Sequence, residues 1–246
     1  MRIGIDASRA FGRDRTGTEN YSYEIITRML KLPQAKKHTW ILYTKENIKL
    51  PYLWTQVGLA YKTWTDNLDV LWVPAHTLPV LARPGLAKVV TIHGIEYEWL
   101  PAYENWLQRW YLPLSTQYAV MSASRIIAVS QFTKKQLVER LGADPKKITV
   151  IHEGISYKDI NRQSNILDRY GLFVGTIHPS KNLVRLIKAF CKLKIVNCKL
   201  VICGKLGWNY QEVLDEAKKN KNIIIKGYVS DEDRNTLLKH AMFYVQ

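Results

Sequence analysis

LFVGTIHPSKN, residues 172–182, carries the strongest architectural signal in the chain. An apolar run ends in Gly175-Thr176, a short turn containing Pro179 follows, and the pair Lys181-Asn182 opens a helical pattern read as Lys181–Leu193. That order predicts a strand, a loop of phosphate size and a helix N-terminus. Backbone N–H groups and the positive end of the helix dipole favour an anion there, and Lys181 adds a full charge. KLVICG, residues 199–204, repeats the apolar run and leads into Lys205. Near the start of the chain, the strand read at Arg2–Asp6 runs into a loop holding Thr16, Gly17 and Thr18. Two such halves in one chain predict two nucleotide-type folds facing a ligand between them.

The same alternation extends outward in both directions. Strands are read at Arg2–Asp6, Thr39–Tyr43, Val70–Val73, Lys88–His93, Arg125–Val129 and Lys147–Ile151, with helices at Thr18–Lys31, Tyr103–Ala123 and Gln131–Leu141. Ser130 is placed to cap the third helix. Residues 152–168 are polar and without period, the expected linker. Beyond it come strand Gly171–Gly175, helix Lys181–Leu193, strand Lys199–Cys203, helix Tyr210–Lys219, strand Asn222–Lys226, helix Asp231–His240 and strand Met242–Val245. Ser230 followed by Asp231, Glu232 and Asp233 reads as a capped helix start with acids in the first turn. Strands alternating with helices argue for parallel α/β sheets. The expected domains are 1–165 and 166–246, and the second sheet is read as incomplete at Gln246, as in a fragment, a split gene or a truncated reading frame.

Of 246 residues, 47% are hydrophobic and 23% charged, which gives an ordinary globular chain with ample core, and no apolar run reaches membrane-spanning length. The start, MRIGIDASRA, is too short and too polar for a signal-peptide core, so the protein is read as made and kept in the cytoplasm. Cys191, Cys198 and Cys203 match no zinc or redox spacing and are read as buried reduced thiols. The net charge of +15 is spread over both halves. With no nucleic-acid motif and no basic tail, nucleic acid is not an expected partner. Peripheral contact with the anionic cytoplasmic face of a membrane, or a phosphorylated substrate, accounts for the charge as well as a plainly basic surface does.

Several residues carry candidate chemistry beside an ordinary alternative. Gly17 permits a positive φ and close approach to a ligand, and Thr18 or Thr16 can cap the following helix, although an ordinary βα turn needs no more than that. His93 lies just past a buried strand, at the edge where open α/β sheets bind ligands, and could bond a sugar hydroxyl or a phosphate; a structural histidine is the alternative. Lys205 sits at the same sheet edge as Lys181, and two point charges there could straddle a pyrophosphate. Lys226–Val229, KGYV, ends the next strand, where backbone groups could read a base edge. The aromatic run 98–111, EWLPAYENWLQRWY, reads as an acceptor-facing or interfacial patch, or as a helix packing its rings on the core.

These residues together resemble a retaining glycosyltransferase of family four with the GT-B fold, of the bacterial mannosyltransferase kind. The likeness rests on GIDAS (4–8), the Gly17 loop, VVTIHG (89–94), IIAVSQFTKKQL (126–137), KITVIHEGI (147–155), FVGTIHPSKNLVRLIKAF (173–190), KLVICGKLGW (199–208) and GYVSDEDRNTLLKHA (227–241). It implies two Rossmann-like domains with parallel sheets. It also implies a donor sugar linked to GDP or UDP, no metal or other cofactor, and retaining transfer of a hexose such as mannose to a glycan or lipid-linked acceptor. By position, Lys181 and Lys205, with Thr176 and Ser180 in the first loop, hold the donor diphosphate. Gly17 and Thr18 touch it from the other domain, the backbone around Tyr228 and Val229 contacts the base, and His93 is the catalytic position near the transferred sugar. Ser180-Lys181 stands where the family usually has Arg-Lys, and His178 where an acid is frequent. The family's Glu-x7-Glu segment is absent, so this polypeptide alone is expected to be inactive unless a separate C-terminal half supplies it. The alternative is a non-catalytic remnant that binds a nucleotide or a partner subunit.

Overall fold

The structure, a computed structural model, describes residues 1–12, 15, 17–44, 53–95, 106–154 and 169–246, with the backbone alone described for 106–109. The chain divides into two compact units, Met1–Gly154 and Ile155–Gln246. The expected boundary at 165/166, and most of the expected linker, lie outside the described residues.

In the first unit, β1 (Arg2–Asp6), β2 (Thr39–Tyr43), β3 (Val70–Val73), β4 (Ala87–Ile92), β5 (Arg125–Ala128) and β6 (Ile148–Val150) form one sheet. Its order is β2-β1-β3-β4-β5-β6 and every pairing is parallel. Helices α1 (Gly17–Met29), α2 (Ala60–Thr65), α3 (Trp106–Ser122) and α4 (Gln131–Leu141) connect the strands. Buried on both faces, a parallel sheet takes apolar residues at successive positions. β3 shows this: Trp72 packs in a core with Ile5 of β1 and Ile26 of α1, while its neighbours Leu71 and Val73 belong to a second core with Leu59, Val90 and Ile126. Helix α4 has a signal at each end. The Ser130 hydroxyl accepts from Thr133 N–H at 3.0 Å, and Gly142 closes the helix at φ 64°.

In the second unit, β7 (Arg169–Val174), β8 (Cys198–Cys203), β9 (Ile223–Gly227) and β10 (Phe243–Val245) form a parallel sheet ordered β10-β7-β8-β9. Helices α5 (Leu183–Leu193), α6 (Gln211–Lys218) and α7 (Asp231–His240) alternate with them. Along β8 the side chains divide by the period of two. Leu200 and Ile202 enter one core with Leu183, Ile187 and Phe190 of α5, and Val201 and Cys203 enter the other with Tyr170 and Leu237. Cys198 and Cys203 are buried and Cys191 half-buried, all as free thiols. Burial pushes the Cys203 thiol up to about 11. Ser230 caps α7 by accepting from Asp233 N–H at 3.1 Å.

The alternation of elements follows the reading of the sequence closely, with four corrections. Lys181 does not open a helix: Pro179–Lys181 is a 3-10 turn, Asn182 is left-handed at φ 53°, and α5 begins at Leu183. Gly17 is the first residue of α1 and is not among the positive-φ glycines. Thr18 lies inside α1, where its carbonyl accepts from the Ser22 hydroxyl at 2.9 Å, so it is not the cap. Finally, a π-helical turn, Trp54–Leu59, continues into α2 in a region where no helix is expected from the sequence. Thr16, and the start of the helix expected from Tyr103, lie outside the described residues.

Candidate functional site

In the second unit the chain reverses its strand order between β7 and β10, and ligands of open α/β sheets bind beyond the carboxyl ends of strands at such a point. On the other side of β7, the loops leaving β7 and β8 are joined through their backbones. Gly175 N–H donates to Cys203 O (2.9 Å), Ile177 N–H to Lys205 O (2.8 Å) and Gly207 N–H to Ile177 O (2.9 Å). The approach is so close that a Cβ on Gly204, which has φ 150°, would stand 1.8 Å from the Gly175 carbonyl oxygen. Only glycine fits such a position. One Cβ on Gly207 would meet Thr176 Cγ2 at 2.9 Å. Thr176, Lys181 and Lys205 therefore stand on one joined pair of loops. The first-turn N–H groups of α5, at Leu183 and Val184, have no intrahelical acceptor, as at any helix start.

Side-chain contacts order the same rim. His178 stacks on Trp208 with centroids 5.5 Å apart and 23° between planes, and its Nδ1 is 2.8 Å from the Ser180 hydroxyl. Burial first, and then the Lys181 charge, push the His178 imidazole below its ordinary value. The Lys205 ammonium stands 5.1 Å from the centre of the Tyr228 ring, a cation–π contact. The Val229 side chain packs against the core of Tyr170, Leu172 and Leu237. A groove of about 310 Å³ opens between the starts of α5 and α6, lined by Asn182, Arg185, Lys188 and Glu212 among others; none of the expected donor residues lines it.

In the first unit the order reverses between β1 and β3, and the residues past β1, β3 and β4 form a polar cluster at that edge. His93 follows β4 directly. Its Nε2 donates to Pro74 O at 3.0 Å, and its Nδ1 faces a Glu153 carboxylate oxygen at 3.1 Å. Tyr21 of α1 meets the ring edge-on at 4.7 Å, and the His76 ring lies 5.6 Å away. His76 stands past β3 at φ 29°, and its Nδ1 is buried without a hydrogen-bond partner. Asp6, at the end of β1, accepts from Ser8 N–H and Trp54 Nε1–H, each at 3.1 Å. Burial drives three of them, Asp6, Tyr21 and His76, toward their uncharged forms. It pushes His76 down to about 4, with smaller electrostatic contributions from the neighbouring His93 and Arg9, and raises the Asp6 carboxyl and the Tyr21 phenol. A cluster of perturbed groups with a strained backbone at a sheet edge is the physical signature of a site.

His93 is thus an expected residue that the structure sets among partners. Asp6, Tyr21, His76 and Glu153 were missed, although His76 in VPAH follows a strand just as His93 does and so carried the same signal. At Gly17 a Cβ would meet nothing within 4 Å, so clearance is what this position offers, not an unusual φ. Among the described residues no three His, Cys, Asp or Glu side chains are placed to hold a metal ion, and no helix is long and apolar enough to cross a membrane.

Fold and sites together define an α/β protein of GT-B type, two Rossmann-like units each with its polar groups at the carboxyl edge of a parallel sheet. Residues 17–158 match the family model described as Glycosyltransferase Family 4, and residues 158–246 match Glycosyl transferases group 1. The chain belongs to glycosyltransferase family 4. It is 25% identical over 174 residues to O-antigen chain mannosyltransferase B of Escherichia coli, covering 64% of this chain and 46% of that protein. It is 31% identical over 131 residues to an uncharacterized glycosyltransferase of Methanocaldococcus jannaschii, covering 52% and 35%. The chain thus spans less than half the length of either relative. Among solved structures, Anabaena HepE in complex with UDP-glucose superposes with a TM-score of 0.66 at 16% identity, covering 99% of this chain and 72% of that one.

Proposed function

We propose that the chain is a retaining hexosyltransferase, or a piece of one, that takes a sugar such as mannose from a GDP- or UDP-linked donor to a glycan or lipid-linked acceptor. The observation that carries this reading is the joined pair of loops after β7 and β8, which brings Lys181 and Lys205 to the carboxyl edge of one sheet in a family 4 chain. The breaking glycosidic bond leaves its electron pair on the nucleoside diphosphate. Fixed cations at that oxygen stabilise the transition state more than the ground state. Lys181 and Lys205 supply that charge as point cations, without a metal. The rigid backbone between them limits reorganisation as charge develops. Thr176 and Ser180 donate to phosphate oxygens, Ser180 exchanging its His178 contact for one, and the backbone at Tyr228 and Val229 receives the base. His93 is the catalytic position on the sugar side, its ring oriented by Pro74 O and Glu153. The relatives that are named for a mannosyltransferase and solved with UDP-glucose support this donor class.

The test is thermal melting of the full chain with GDP, UDP, GDP-mannose and UDP-glucose in turn, beside Lys181→Ala and Lys205→Ala. A nucleotide held at about a hundred times its Kd stabilises by about 2.7 kcal/mol, a rise of several degrees. A rise with one base, lost in both variants, names the donor. Absence of any rise, or a rise both variants keep, removes the lysine site.

A further inference from the structure

The donor reading gives His178 no part of its own, yet the structure fixes this ring from two sides. Lys181 N–H donates to His178 O at 3.0 Å and closes the 3-10 turn, which sets His178, Ser180 and Lys181 on one turn of backbone. The imidazole stacks on Trp208 of the loop after β8, and a Cβ on Gly207 would stand 3.3 Å from the His178 Cβ. So held, the ring brings Nδ1 to 2.8 Å from the Ser180 Oγ. His178 and Trp208 are half-buried, whereas Ser180 and Lys181 are exposed. The ring therefore stands behind a hydroxyl and an ammonium that both reach solvent.

A nitrogen and an oxygen at this distance need a proton between them. With a neutral ring, the Ser180 hydroxyl supplies it by donating to the Nδ1 lone pair. An ionised phosphate oxygen accepts hydrogen bonds and donates none. When Ser180 turns its proton to a phosphate, two lone pairs are left facing each other across the 2.8 Å contact. A proton on Nδ1, donated to Oγ, removes that repulsion. If Nε2 keeps its own proton, the ring becomes an imidazolium, and its charge adds to those of Lys181 and Lys205.

Electrostatics push the same way. Burial, and after it the Lys181 charge, holds the ring toward its neutral form. Lys181 is the charged group that bears on it, and the Trp208 ring packed against it from the loop after β8 carries no charge. A diphosphate seated on Lys181 offsets that opposing charge. We propose that His178 is a positioning residue for the donor diphosphate: it takes up a proton from water as the donor binds, and its Nδ1–H holds the Ser180 hydroxyl on a phosphate oxygen. No bond to carbon or phosphorus changes in this step. The inference rests on the donor reading, which seats the diphosphate on the loop after β7.

The experiment is isothermal titration calorimetry of the full chain with GDP-mannose and with UDP-glucose near neutral pH, in PIPES and in imidazole buffer, whose heats of ionisation differ. The diphosphate of either sugar nucleotide is a diester that does not titrate near neutrality, so proton uptake reports the protein. Wild type is expected to take up about half a proton per donor bound, and its affinity to rise about threefold per unit as pH falls from about 8 to about 6. His178→Gln keeps a planar side chain that reaches Ser180 but cannot titrate. It is expected to bind severalfold more weakly, with no uptake, a flat pH profile and an unchanged melting temperature. In Ser180→Ala the uptake is expected to shrink, because Nδ1 loses its acceptor. Wild-type binding with equal heats in both buffers leaves the donor reading standing and overturns this proposal, as a ring that only changes tautomer would give that result. Full uptake by either variant also overturns it. Absence of binding with both sugar nucleotides removes the donor reading, and this proposal with it.

Discussion

At the scale of single residues, two glycines and one histidine make opposite demands on their surroundings. A Cβ on Gly204 would enter the Gly175 carbonyl, which is backbone and cannot swing aside, at a φ of 150° that other residues avoid. Gly204→Ala is expected to destabilise by about 3 kcal/mol or more, read as a drop in the urea midpoint. Gly17 opens a helix with no neighbour within 4 Å, so Gly17→Ala is expected to hold or slightly raise that midpoint through helix propensity. If both substitutions cost the same, the joined loops are not what requires Gly204. His76 adds a pH dependence. Its imidazole titrates near 4 in the folded chain against 6.5 when unfolded. Between those values the unfolded chain binds the extra proton, so stability is full above about 6.5 and falls as pH drops toward 4, by about 3 kcal/mol when the window is crossed. His76→Asn keeps a side chain that tolerates the left-handed backbone and cannot titrate. Melting at pH 7.5 and 4.5 is expected to show a smaller acid loss in this variant; an equal loss would place the proton elsewhere.

At the scale of elements, caps and strands were legible because their signals are local. Ser130 and Ser230 each precede a helical pattern, and each hydroxyl accepts from the N–H three residues on. Ser130→Ala is expected to cost about 1 kcal/mol of stability in urea titration, with a cost near zero refuting the cap. Parallel strands read plainly because burial on both faces imposes unbroken apolar runs such as KLVIC. What escaped was non-local. In LWTQVGLAYKTWT the apolar residues lie on both sides of the helix, so no one-sided stripe announces it. The turn Pro179–Lys181 looked like a helix start because a single left-handed residue, Asn182, separates it from α5, and nothing in the letters marks that φ. The polar cluster of the first unit was half legible. His93 follows a readable strand, but its contacts with Pro74 and Glu153 join residues 19 and 60 positions away, which sheet order alone brings together.

At the scale of the whole molecule, each unit carries its own pair of cores on the two faces of its own sheet. Strain introduced in one set of cores should therefore be felt there first. Gly204→Ala pushes β8 against the loop after β7, both in the second unit. Local opening of that unit becomes easier by the free energy the substitution removes, while amides of the six-stranded sheet still require their own cores to open. Native-state hydrogen exchange of the variant is expected to quicken about a hundredfold along β7, β8 and β9, with β1, β3 and β4 close to wild type. Equal acceleration in both sheets would mean that the two sets of cores open as one cooperative body. Acceleration confined to β1–β6 would contradict the placement of Gly204. The same experiment bears on binding: a nucleotide held by the loops after β7 and β8 protects those amides in proportion to its occupancy and restores part of what the alanine removes.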